Sequence, residues 1–180
     1  REGHSAFLLG RNYHHGDWRY FPIALALKTP PLTLGLGLLS AALATATRRW
    51  HRAWSVAGLS VWVFPVLYFA TSLVSGINIG YRHLLPVLPF AYVFIAASLS
   101  AGMPVPRAAR RVVRAVLLVL LGGYALITLQ LHPWHLAYFN VFAGGPDGGY
   151  RYLVDSNLDW GQTWKALRKY LDERGIDDFY

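Results

Sequence analysis

Four long apolar runs, at 22–44, 54–74, 84–102 and 112–131, alternate with short polar connections. About 20 apolar residues in a helix cover a ~30 Å hydrocarbon layer. Each run is long enough for that, so the alternation predicts about four membrane-spanning helices. The first run holds one charge, Lys28, followed by Thr29-Pro30-Pro31. Two prolines break the helical ladder, which moves the start of the spanning part past them. Pro86 and Pro89 kink the third run, and the fourth is the cleanest. Composition agrees. The 180 residues are 54% hydrophobic and 14% charged, against about a quarter charged in a soluble domain. Seven Trp and eleven Tyr suit aromatic belts at two interfaces.

Charge orients the runs. Arg48, Arg49, His51 and Arg52 follow the first run, and Arg107, Arg110, Arg111 and Arg114 flank the start of the fourth. Alternating spans put both clusters on one side, which the positive-inside rule makes the cytoplasm. All nine acids then fall on the outer side, together with residues 1–21, the turn at 75–83 and everything beyond 131. The net charge of +8 is thereby explained as orientation, and nucleic acid is excluded as a partner. With no cysteine, disulfides and thiolate metal sites are excluded too. The chain opens without Met or a signal-peptide pattern and stops in an apparent strand at 176–180, so a longer protein cut at both ends is expected.

Residues 1–21 read as a polar, aromatic loop or interfacial segment. Past 131 the pattern changes. An amphipathic stretch at 138–142 precedes a turn cluster at 143–149, where Gly, Pro and Asp gather. A helix is predicted from about Trp160 to Arg174, with Trp160, Trp164, Leu167 and Leu171 on one face. Asp159 or Asn157 suits its start and Gly175 its end. The fold class expected is therefore mainly α: polytopic membrane helices over 1–131, then the start of a small extracytoplasmic α/β unit over 132–180.

Three groups of residues could carry chemistry. Arg82 and His83 stand directly before the third run. Arg offers a planar, permanent fork for phosphate oxygens and His83 a second donor; the plainer reading is a pair of interfacial anchors. Lys28, inside an apolar run, is a candidate for the same phosphate or else snorkels to the interface. Asp155, Asn157, Asp159, Trp160 and Gln162 combine polar edges with an aromatic face, which suits a sugar. The carboxylates also suit a base or a divalent metal, the one cofactor they admit. Capping by Asp159 and turn formation by Asp155 and Asn157 is the alternative. Six of the seven histidines fall outside (His4, His14, His15, His83, His132 and His135), but in no metal-binding spacing such as HExxH.

Several of these stretches resemble one family. Trp18-Arg19-Tyr20-Phe21-Pro22 with Leu27-Lys28-Thr29-Pro30 is similar to the W-Y-F-P … K-T-P signature of bacterial GT-C membrane glycosyltransferases. These form the superfamily of protein O-mannosyltransferases and aminoarabinose transferases. Tyr81-Arg82-His83-Leu84-Leu85-Pro86 through Pro89 resembles their R-Y-L-L-P-x-x-P segment. Tyr138-Phe139-Asn140, Gly144-Gly145-Pro146 and the stretch 155–162 resemble the tail of one bacterial branch. The resemblance implies sugar transfer from a polyprenyl-phosphate donor to a glycan, lipid or protein acceptor, on the outer face of the plasma (inner) membrane. It also implies inversion at the sugar carbon, with a base in an outer loop upstream of Arg1. Pro31 replaces a more usual Leu, and His83 a common Tyr. A transporter or flippase of lipid-linked sugars, or a non-catalytic membrane scaffold, are the rival classes.

Overall fold

A computed structural model describes residues 4–46, 56–102 and 109–176. The arginine cluster at 48–52, Arg107 and most of the expected strand at 176–180 lie outside these residues. The described chain is mainly helical, with a single two-stranded sheet.

The stretch expected to be a loop opens with a hairpin. Strand β1 (Ala6–Leu8) pairs antiparallel with β2 (Arg11–Tyr13) in the register Ala6↔Tyr13, Leu8↔Arg11. The two turn residues, Leu9 and Gly10, both have positive φ, 52° and 79°. Those are the angles a two-residue hairpin turn needs to match strand twist. A backbone bond from Leu9 N–H to the Tyr152 carbonyl, at 2.9 Å, ties the hairpin to the tail.

Helix α1 (Tyr20–Lys28) buries Tyr20, Phe21, Ala24 and Lys28, the one-face spacing of an α-helix. It stops because Thr29 precedes Pro30, and a residue before proline is driven out of the helical region; Thr29 is extended, with φ −93° and ψ 136°. Helix α2 (Pro31–Ala46) starts on Pro31, where the missing N–H costs nothing. The two helices meet at 113°. Helix α3 (Val56–Val74) carries Pro65 internally. A 3-10 stretch, Tyr81–Val87, runs straight into α4 (Leu88–Gly102). Trp62 and Phe94 meet edge-on at 4.8 Å, joining α3 to α4, and α2 also lies along α4. Helix α5 (Arg110–Gln130) is joined to α2 by a 2.6 Å bond between the Thr33 and Tyr124 hydroxyls. Helix α6 (Trp164–Arg174) ends at Gly175 in the left-handed region, φ 61°.

The expectation of about four spans is corrected. Among the described residues only Tyr81–Ser100 forms one continuous helix long and apolar enough to cross a membrane, or two such units if α1 and α2 count as one broken span. The reasons are local. The prolines split the first run into two sharply angled helices. Among the described residues, the apolar parts of α3 and α5, Trp62–Val74 and Arg114–Gln130, fall short of the required length.

The strand expected to complete an α/β unit after 131 lies almost wholly outside the described residues. The described part, 132–176, is built from short 3-10 turns and α6, without a strand. Its buried residues Phe139, Ala143 and Leu153 join Ala6, Leu8, Tyr20, Phe21, Ala24 and Leu84 in one cluster. The core thus draws on both sides of Leu131. Helix α6 begins at Trp164, later than expected, and of its predicted apolar face only Leu171 is buried; Trp160, Trp164 and Leu167 are exposed.

Asn140 holds the tail onto α1. The last carbonyls of a helix lack partners within it. The Asn140 amide donates to the carbonyls of Ala26 at 2.6 Å and Thr29 at 2.8 Å, and its backbone N–H takes that of Leu27 at 2.9 Å. The side-chain oxygen accepts from Phe142 N–H. Asn140→Ala leaves two carbonyls without these donors in a buried setting, so it should lower stability by about 2 kcal/mol. Thermal unfolding of the purified protein in detergent checks this.

Candidate functional site

The tail and the 3-10 stretch are clamped together by two consecutive residues, Ser156 and Asn157. Ser156 donates its hydroxyl hydrogen to the Ile79 carbonyl. Asn157 accepts from Tyr81 N–H at 2.9 Å and donates to the Tyr20 hydroxyl at 2.7 Å and the Val154 carbonyl at 3.1 Å. The Asn157 carboxamide therefore caps the start of the 3-10 stretch from a segment far along the chain. A Cβ on Gly80 would overlap the Ser156 hydroxyl, so the clamp requires glycine there.

This clamp sets the position of Arg82 and His83. The Arg82 guanidinium lies over the Trp160 ring, 4.0 Å from its centroid, a cation–π arrangement. Arg82 Nη1 and His83 Nε2 are both buried with no hydrogen-bond partner among the described residues. Two nitrogens of consecutive residues thus stand uncommitted at the head of the span-length helix. Buried polar nitrogens are normally bonded, so each of these two retains bonding capacity.

Trp160 sits on a tight turn. Its N–H donates to Gln162 Oε1 at 2.6 Å, and Gln162 Nε2 donates to the Leu158 carbonyl at 3.2 Å. Asp159 accepts from Gly161 N–H at 3.1 Å and from the Thr163 hydroxyl. The Thr163 bond holds the Asp159 carboxyl below the usual aspartate range. Asn157, Asp159 and Gln162 therefore shape the site from behind, whereas Trp160 forms a wall beside Arg82.

Lys28 is placed elsewhere. It is buried on the inner face of α1, donating from Nζ to the carbonyls of Leu136 at 2.7 Å and Asn157 at 2.5 Å. The ammonium also lies 4.3 Å from the Phe139 ring centroid. Snorkelling and phosphate binding were the two expectations for it; in the fold it staples the tail to α1.

Asp155 differs from its neighbours. It has a positive φ of 59°, and its carboxylate meets no hydrogen-bond donor among the described residues. It lines a cleft of about 220 Å³ with Ser5, Phe7, Asn12, Tyr20 and Asn78. Sequence reading did not connect these residues, because the hairpin that supplies three of them was not foreseen. Asn140 entered only through the family resemblance, and Ser156 carried no signal of its own. Among the described residues no three His, Asp or Glu side chains gather to hold a metal; His132 and His135 approach each other at 3.4 Å without a third group.

No known protein family matches the chain, and no curated protein or solved structure matches it.

Proposed function

We propose that this chain is part of a membrane glycosyltransferase that takes a sugar from a polyprenyl-phosphate donor and passes it to an acceptor on the outer face of the plasma membrane. The observation that carries the reading is Arg82: a guanidinium over the Trp160 ring with a buried nitrogen lacking a partner, followed in the chain by His83, whose Nε2 is also buried and unpartnered among the described residues. A lipid phosphate at the membrane surface offers the oxygens such a pair lacks. The sequence resemblance supplies the reaction class. Donor binding and sugar transfer by the full-length enzyme, with and without Arg82, test it. A flippase would also need Arg82, but it would move the lipid-linked sugar without joining it to an acceptor.

The membrane setting is supported by exposed apolar surface. Val112, Leu118, Val119, Leu121 and Leu129 of α5 are each more than 60% exposed, far more contiguous apolar area than water tolerates. In this reading Tyr81–Ser100 crosses the bilayer. The acidic tail faces outward and the Arg clusters face the cytoplasm. The chain has no native cysteine, so Arg114→Cys and Asp159→Cys can be labelled singly in intact cells with an impermeant maleimide. Position 159 should label and position 114 should not; the reverse pattern overturns the orientation.

A further inference from the structure

We infer that the cleft between the N-terminal hairpin and Asp155 is a monosaccharide subsite, with the Asp155 carboxylate accepting hydrogen bonds from sugar hydroxyls. The inference rests on the sugar-transfer reading for its ligand class, and on the cleft's own chemistry for its residues.

Three consecutive residues have divided roles. Ser156 and Asn157 are buried, and their side chains fasten the tail to Ile79 and Tyr81. Asp155 alone is turned away by its left-handed backbone, into the cleft. An aspartate there can accept up to four hydrogen bonds, enough for two neighbouring hydroxyls of a sugar ring. The opposing wall suits the same ligand. The Asn12 amide and the Ser5 hydroxyl have no side-chain partners among the described residues. The Tyr20 hydroxyl accepts from Asn157 at 2.7 Å, which leaves its own hydrogen free to donate. Asn78 clamps the Asp17 backbone through both ends of its amide at 3.2 Å, keeping one further N–H. Phe7 supplies an apolar surface for the C–H face of the ring. At about 220 Å³ the cleft is below the ~300–1,000 Å³ of sites for drug-sized ligands, a size for one ring rather than an oligosaccharide. Among the described residues no basic side chain lines it. Arg82 and the cleft therefore divide phosphate from sugar.

The test uses the full-length protein in nanodiscs and two separate probes. Methyl glycosides of the gluco, manno and arabino series report on the cleft through saturation-transfer NMR, and a polyprenyl phosphate without sugar reports on Arg82. At least one glycoside should bind the wild type. Asp155→Asn should weaken that binding about ten-fold or more while leaving polyprenyl-phosphate affinity unchanged. Asparagine tolerates the left-handed backbone as aspartate does, so the variant should unfold at the wild-type temperature. Asn12→Ala, on the facing strand, should weaken the glycoside again. Arg82→Ala should show the opposite pattern. If no glycoside binds the wild type, or if Asp155→Asn and Asn12→Ala both bind it normally, the subsite is wrong, whatever Arg82 does. If glycoside binding depends on Asp155 but the wild type neither binds polyprenyl phosphate nor transfers sugar, the subsite stands and the glycosyltransferase reading falls.

Discussion

Replacing Lys28 with methionine should destabilise the protein by about 3 kcal/mol, the low end of what losing two hydrogen bonds from a charged donor takes. Nζ makes two hydrogen bonds to carbonyls that belong to different parts of the tail, Leu136 and Asn157. Bonds to a charged donor contribute roughly 1.5–3 kcal/mol each. Methionine keeps the stem that fills the space beside Phe139 and leaves both carbonyls unpaired. One term opposes the loss: a buried ammonium without a carboxylate pays a desolvation cost that the variant escapes, which is why the estimate sits at the low end. Lys28→Arg should not restore stability, because a planar fork cannot place one nitrogen between two carbonyls that converge on a point. Thermal unfolding in nanodiscs, with donor affinity measured on the protein that remains folded, checks the assignment. A variant of wild-type stability with weakened donor binding would return Lys28 to the phosphate site.

Lys28 also shows where the sequence stops being informative. A charge inside an apolar run was evident, but its two acceptors lie 108 and 129 residues further on, and nothing in local spacing points to them. The break at Pro30-Pro31 was legible because its cause is covalent: proline restricts itself and the residue before it. Four apolar runs were legible as composition. Their length as continuous helices was not, since it depends on where each helix starts and turns. The hairpin was hidden because Leu9-Gly10 lacks the Asn-Gly or Asp-Gly signature of such turns and the strands are three residues each. Periodicity placed α6 to within a turn, yet it could not say that Trp164 and Leu167 would remain uncovered. At the site, Arg82 and Trp160 were each singled out; their stacking was not, because it follows from the Asn157 clamp rather than from either neighbourhood.

Under the proposed glycosyltransferase reading, loss of Arg82 should weaken binding of a polyprenyl-phosphate donor by about ten- to a hundred-fold. Its guanidinium is held before any ligand arrives, over the Trp160 ring at 4.0 Å from its centroid, so less side-chain freedom remains to be lost on binding. A charge-assisted hydrogen bond of roughly 1.5–3 kcal/mol converts to that range of affinity, and a partly water-excluded cleft keeps more of the attraction than bulk water does. Lysine at this position retains charge but loses the fork and the stacking, so Arg82→Lys should recover only part of the affinity. Trp160→Ala, which leaves the charge in place and removes its platform, should cost less than Arg82→Ala, because a cation–π contact at a half-open site contributes about 0.5–1 kcal/mol. The order of the three variants is the informative result. An arginine that only anchors the helix at the membrane surface would lower stability without changing donor affinity, and lysine would replace it fully. If the guanidinium meets the departing phosphate, its contribution grows as negative charge develops there, and turnover falls along with affinity. Donor affinity and single-turnover rates for Arg82→Ala, Arg82→Lys and Trp160→Ala in the full-length protein therefore separate three roles. Unchanged affinity and rate in a folded Arg82→Ala protein would leave Arg82 as an anchor, whereas reduced affinity at constant turnover would make it a binding group that the chemical step does not use.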